Sequence, residues 1–257
     1  MGMLRAGLIG LPSTGKTTLF QLLTKGASGS SSNRFGRLEA QMGMATVPDS
    51  RLEQLAAIYK PKKCTPATVT FVDIGGTTAP RSLVDVAAYR EADTLLHVVR
   101  AFTASAIPHT EGTIDPDRDI QAIEVELILA DLAVAEKRLD RIRRDRKKTA
   151  SRDLDVEAAL LERCSKQLED GLPIRSMELN KTEEKTLRGF QFLSAKPLLL
   201  VNNVDESDLK STTATTESVD LKEMLDKPNI ESVRVLSLIH ISEPTRRTPI
   251  SYAVFCL

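Results

Sequence analysis

One turn restricts the fold of this chain more than any other feature. Arg5–Ile9 is an apolar run, Gly10-Leu11-Pro12-Ser13-Thr14-Gly15-Lys16-Thr17 follows, and Lys16–Leu23 is amphipathic. The spacing G-x-x-x-x-G-K-[ST] between a strand and a helix is that of a loop wrapped around a polyphosphate. Glycines let the main chain curl so that the N–H groups of Ser13, Thr14 and Gly15 point inward, beside the N-terminus of the following helix. Lys16 would place a compact cation on the β- and γ-phosphates and stabilise charge in the transition state. The Thr17 hydroxyl would ligate Mg²⁺, and Thr18 would donate to the α-phosphate.

The surrounding pattern is that of an α/β protein. Thr68–Ile74, Thr94–Val99 and Pro197–Val201 are β-rich runs, and Asp49–Ile58 carries apolar residues at helical spacing. Strands separated by helices predict a parallel sheet with crossover connections. Ala27–Gly36 is rich in Ser and Gly and reads as a loop. From Asp117, apolar residues step by three and four through Ile142, predicting one long helix whose pattern breaks at Arg143–Arg152. A second helix follows, with Val156, Leu160, Cys164 and Leu168 on one face, ending at Gly171 and Pro173. The pair predicts an antiparallel helical hairpin, of coiled-coil type, inserted in the α/β domain. Asn180 with Glu183 reads as a capping box for a short helix, and Ile230–Val235 as a further strand. The expected organisation is therefore 1–116 and 176–235 for the α/β domain, with 117–175 as the insertion.

Asp73-Ile74-Gly75-Gly76 fits D-x-x-G at the end of a β-run, 57 residues after Lys16. Such an Asp holds Mg²⁺ through water, and the N–H of Gly76 meets the γ-phosphate. Where a water-orienting Gln would follow, this chain has Thr77, so hydrolysis is expected to be slow without a partner. The base-reading loop should follow the Pro197–Val201 strand, and two frames present themselves. Asn202-x-x-Asp205 is a guanine-type loop lacking its Lys. Asn203-Val204-Asp205-Glu206 puts a longer carboxylate at the reading position, which loosens guanine selection. The residues alone leave both frames open.

Several stretches together resemble the YchF-type, Obg-like ATPases of the translation-factor class of P-loop NTPases. They are GLIGLPSTGKTTLF, VPDSRLEQLAAIYKPKK with TPATVTFVDIGG, EADTLLHVVRAF, HTEGTIDPDRDIQAIEVELILADLAVAEKRL and AKPLLLVNNVDESDL, spanning about Leu4 to Leu209. The resemblance implies a G domain interrupted by a helical hairpin and followed by a small TGS domain. It also implies slow Mg²⁺-dependent ATP hydrolysis and association with ribosomes. Its N-x-x-E loop selects the Asn203–Glu206 frame, hence nucleotide contacts from Asn203, Val204 and Glu206 and ATP rather than GTP. A GTP switch using Asn202 and Asp205, and a non-hydrolysing interaction protein ordered by nucleotide, are the alternatives. The chain departs from the family where Arg37–Gln41 stands in place of a T-x-E-P-like first switch, with Thr46 or a Ser within 28–32 as substitute hydroxyls. It departs again where Thr77–Arg81 replaces a Gly-rich second switch, and no TGS domain is expected within these 257 residues.

Charge and apolar content bound the partners. Lys+Arg and Asp+Glu are equal at 35, which argues against a surface wholly given to nucleic acid. Between Glu136 and Arg152, however, nine basic residues face three acidic ones, net +6, so the hairpin tip 137–152 is a candidate contact for ribosomal RNA phosphates. No run approaches a membrane span, no signal peptide precedes the first strand, and three widely spaced cysteines indicate neither a disulfide framework nor a zinc site. The expectation is a cytoplasmic monomer. His97 and His109 are not spaced as metal ligands, and His97 reads as a core residue. Leu236–Leu257 continues no earlier periodicity and resembles translated sequencing-adapter DNA, so it is expected to be artefactual and carries no functional reading.

Overall fold

The computed structural model describes residues 3–24, 28–29, 40–74, 87–103, 109, 112–147, 152–205 and 229–235. Seven strands form one sheet in the order β2-β3-β4-β1-β5-β6-β7. They are β1 (Leu4–Ile9), β2 (Ser28–Gly29), β3 (Ala40–Thr46), β4 (Thr68–Ile74), β5 (Thr94–Ala101), β6 (Leu198–Val204) and β7 (Ile230–Val235). β4, β1, β5, β6 and β7 are parallel, as the alternating strand and helix pattern requires. The edge is not: β3 pairs antiparallel with β4, and β2 with β3. The sequence reading held no strand here, because Ala40–Thr46 offers little β-branched character. Its pairing with β4 makes it a strand, and Gly43 admits the contact. A Cβ on Gly43 would stand 2.3 Å from the Thr24 side chain.

Each central strand is apolar on both faces, and successive residues serve opposite layers. Leu95, Val99, Leu198 and Leu200 pack with Ile120, Ile123 and Leu127 of α4 (Pro116–Arg146). Leu96, Val98, Leu199 and Val201 pack with Leu19 and Phe20 of α1 (Lys16–Leu23) on the other face. The helices α2 (Ser50–Tyr59) and α3 (Ala87–Arg90) fill the connections before β4 and β5.

α4 has 31 residues, about 45 Å at 1.5 Å per residue, and starts with Asp115 as N-cap and Pro116 at its first position. It continues through Arg143 to Arg146, beyond the expected break. Arginine is a good helix former, and cations in a last turn face the negative end of the helix dipole. α5 (Arg152–Glu169) packs on it through Ala158, Leu161, Cys164 and Leu168 against Ala135, Leu139 and Ile142. Their ion pairs, Arg146–Asp155 and Arg138–Glu157, run in opposite chain directions along the two helices. Val156, expected on the buried face of α5, is exposed, and Leu161 is buried instead. A 3₁₀ turn at Ile174–Ser176 and α6 (Lys181–Arg188) lead back to the sheet, and Asn180 and Glu183 form both bonds of the capping box.

Buried charge joins α4 to the segments that lead into the sheet. The Asp131 carboxylate, fully buried on α4, accepts from the N–H groups of Leu193 (3.0 Å) and Ser194 (2.6 Å) and from Arg90 (3.2 Å). Arg175 makes a forked contact with Glu124 at 3.0–3.3 Å. Such charges are tolerated in a core only when paired and hydrogen-bonded.

Candidate functional site

The loop between β1 and α1 lies at the C-terminal end of the central strand, where open α/β sheets present ligand crevices. Its backbone requires glycine at both ends. Gly10 has φ 141°, and a Cβ there would lie 2.4 Å from the Val98 carbonyl oxygen on β5. Gly15, at φ 97°, caps α1 in the left-handed region. Ser13 also sits left-handed at φ 61°, a conformation a non-glycine residue holds only when its surroundings impose it. Thr14 is buried and its hydroxyl donates to the Leu11 carbonyl at 3.1 Å.

Lys16 folds back over the loop. Its Nζ donates to the carbonyls of Leu11 (2.7 Å) and Gly10 (3.0 Å). Burial lowers its pKa to about 8, and the Asp73 carboxylate pulls the other way. One residue on, the Thr17 hydroxyl donates to Asp73 Oδ2 at 2.8 Å, bringing α1 onto the end of β4. Asp73 is fully buried, and among the described residues its Oδ1 has no hydrogen-bond partner. A buried carboxylate oxygen without a partner beside a hydroxyl is a hard, oxygen-only donor pair, which fits Mg²⁺. Among the described residues no group of three or more His, Cys, Asp or Glu could hold a metal. Mg²⁺ needs no such cage, since it binds through one or two protein oxygens together with phosphates.

The base-reading segment is strand rather than loop at its start, because β6 extends to Val204. Asn202 is opposite Val99 and Arg234, and Asn203 opposite Arg100 and Val235. Asn203 is buried, and its Nδ2 donates to the Thr14 carbonyl at 3.0 Å, tying the end of β6 to the phosphate loop across 189 residues. Asp205 is engaged elsewhere. Its Oδ2 accepts from the Thr103 N–H (2.9 Å) and hydroxyl (2.7 Å), and these bonds hold its pKa below the usual carboxylate range. The sequence reading missed Thr103, because no local pattern links residues 102 positions apart.

Thr18 lies on α1, and Val204 ends β6. Gly75, Gly76, Thr77 and Glu206 lie outside the described residues, as do the serines at 30–32 and the tail from 236. Thr46 pairs with Thr68, whereas Gln41 is opposite Asp73. Thr46 is therefore about 17 Å along the sheet from Asp73 and is no substitute ligand there. His97 is buried within β5, and its pKa falls to about 3 through burial and the positive charges of Lys16 and Arg175. His109 Nε2 lies 2.9 Å from Asp119 Oδ2, both buried at the start of α4. Cys64 and Cys164 are free thiols. Among the described residues no helix is long and apolar enough to cross a membrane.

Residues 5–133 match the family model described as 50S ribosome-binding GTPase. The chain belongs to that family. Among curated relatives, the ribosome-binding ATPase YchF of Haemophilus ducreyi is 38% identical over 213 residues, covering 80% of this chain and 58% of its own. The protein of the same name from Bacillus subtilis is 33% identical over 242 residues, covering 92% and 66%. The structure of the Schizosaccharomyces pombe YchF GTPase superposes with a TM-score of 0.73 at 27% identity, over 93% of this chain and 67% of that one. The fold is accordingly a P-loop G domain with a mostly parallel sheet. The chain spans little more than half the length of several of these relatives.

Proposed function

We propose that the chain binds a magnesium-bound nucleoside triphosphate, ATP in preference to GTP, hydrolyses it slowly, and acts in the cytoplasm as a ribosome-associated regulator of translation or stress response. The observation that carries this reading is the Thr17–Asp73 pair at the phosphate loop, with one buried carboxylate oxygen left without a partner among the described residues. The main-chain N–H groups at Ser13–Gly15 would bind the phosphates, and Lys16 would neutralise them. Its Nζ has only to exchange loop carbonyls for phosphate oxygens. Thr17 would hold Mg²⁺ directly and Asp73 through water, and the ion would draw charge from the phosphate oxygens as the terminal group departs. Preference for ATP draws support from Asn203, whose side chain donates to the Thr14 carbonyl, and from Asp205, whose carboxylate already accepts from Thr103. Slow turnover follows if no side chain takes the place of the Gln that Thr77 replaces.

The names of the relatives divide between ATPase and GTPase, so the nucleotide is the first quantity to measure. Calorimetry should give tighter binding of MgATP than MgGTP to the same protein, and Lys16→Ala should abolish both. Unchanged affinity in Lys16→Ala would remove the phosphate-loop assignment. Stronger binding of GTP would restore the Asn202–Asp205 frame.

A further inference from the structure

The nucleotide site leaves the other end of the sheet unexplained. β4 runs parallel to β1, so Thr68, where it starts, is about 17 Å from Asp73, where it nears the phosphate loop. The chain arrives at Thr68 through α2, a helix with no buried residue. Ile58 and Tyr59 at its C-terminal end are 72% and 77% exposed. Lys60 then turns the chain in a left-handed C-cap (φ 45°, ψ 55°), and every residue from Tyr59 to Ala67 is exposed. Three of them, Lys60, Lys62 and Lys63, are lysines, and no acidic residue occurs between Lys60 and Val72. Among the described residues none of the three has an ion-pair partner. In the α4–α5 pair, part of the charge is committed: Arg138, Arg143 and Arg146 face Glu157, Asp140 and Asp155. Lys137, Arg141 and Lys147 there are without an ion pair among the described residues and serve as the comparison in the test below.

We propose that the junction of α2 and β4, Tyr59 with Lys60, Lys62 and Lys63, is a docking surface for RNA. Three ammonium groups without an ion-pair partner among the described residues, on an exposed segment, present the charge that a phosphodiester backbone attracts. The solvent-facing phenol ring beside them offers a stacking platform to an unpaired base, which explains an aromatic side chain left in water at a basic turn. Proline at position 61 removes a backbone donor and limits the conformations the lysines must give up on binding. The inference deepens the ribosome association proposed above and rests on it. It also assigns RNA contact to a surface remote from the nucleotide, so both can be bound together.

The test uses the full 257-residue chain and a fluorescent 12-nucleotide single-stranded RNA, with anisotropy read across a salt series and MgATP binding measured on the same samples. Neutralising the patch as Lys60→Asn, Lys62→Gln and Lys63→Gln together should weaken binding at least tenfold and reduce the slope of log affinity against log salt by about 2. Asparagine is chosen at position 60 because it tolerates the left-handed cap. Tyr59→Ala should cost roughly tenfold, and Tyr59→Phe should restore it. MgATP affinity should be unchanged in all of them. RNA binding with unchanged affinity and slope in the triple variant, loss only on neutralising Lys137, Arg141 and Lys147 of the hairpin, or no RNA binding by the parent chain would overturn the proposal. So would patch-dependent binding to phosphatidylserine-containing vesicles without binding to RNA. A parent chain that binds RNA through the patch but takes no nucleotide would overturn the phosphate-loop reading instead.

Discussion

Two basic regions of this molecule look alike in composition and differ in what surrounds their charges. The stretch from Glu136 to Arg152 carries a net +6, yet Arg138, Arg143 and Arg146 face carboxylates of α4 and α5. The turn after α2 carries only three lysines, and among the described residues none is paired. The first region has more charge, and Lys137, Arg141, Arg144 and Lys147 there are also without an ion pair among the described residues. The second differs in that none of its charges is committed and no carboxylate lies between Lys60 and Val72. A guanidinium held by a carboxylate contributes to packing and has less attraction left for a phosphate.

That contrast is open to measurement, beginning where charge is most deeply committed to the fold. Asp131→Ala would leave the N–H groups of Leu193 and Ser194 and the Arg90 guanidinium without their acceptor. Urea denaturation should show a loss of about 3 kcal/mol, and a loss under about 1 kcal/mol would mean that the junction of α4 with the sheet is not held by this carboxylate.

A buried neutral histidine should appear next, in the acid limb of stability. His97 has a folded pKa of about 3 against 6.5 when solvated, so it takes up a proton on unfolding at any pH between those values. Its contribution is complete above about pH 6.5 and is lost as pH falls toward 3, at about 1 kcal/mol per pH unit. His97→Leu should flatten that limb relative to the parent chain. An unaltered slope would show that other groups set the acid sensitivity.

Smaller effects separate the two basic regions directly. Arg138→Gln breaks a forked, half-buried pair with Glu157 and should cost about 0.5 kcal/mol, less at high salt. The triple lysine variant should leave the urea midpoint where it was, because those side chains are exposed and have no ion-pair partner among the described residues. If the lysines proved the more destabilising of the two sets, the contrast between committed and free charge would fail.

Much of the site was readable from local pattern. The phosphate loop is a run of eight residues whose spacing reports its own geometry, and Asp73 is marked by the β-run that it ends. The capping box at Asn180 was legible for the same reason, since a cap involves neighbours three residues apart. Ala40–Thr46 was not legible as strand, because only the edge of β4 makes it one. Helix periodicity located α5 but chose Val156 for a buried face that belongs to Leu161, since the facing helix sets which stripe is covered.

The order of residues alone determined a strand, an anion-binding turn and a helix, and with them a parallel α/β architecture able to hold a polyphosphate. Local chemistry suffices for that, because glycine freedom, helix start signals and alternating apolar residues act over a few positions. The tertiary structure decided which Asn meets the loop, by tying Asn203 to Thr14 and Asp205 to Thr103. It also decided which basic residues are neutralised, by folding α5 onto α4 and leaving the exit of α2 in solvent. Both are outcomes of contacts between distant segments, and electrostatics depends on what stands within a few ångströms, not on what stands next in the chain.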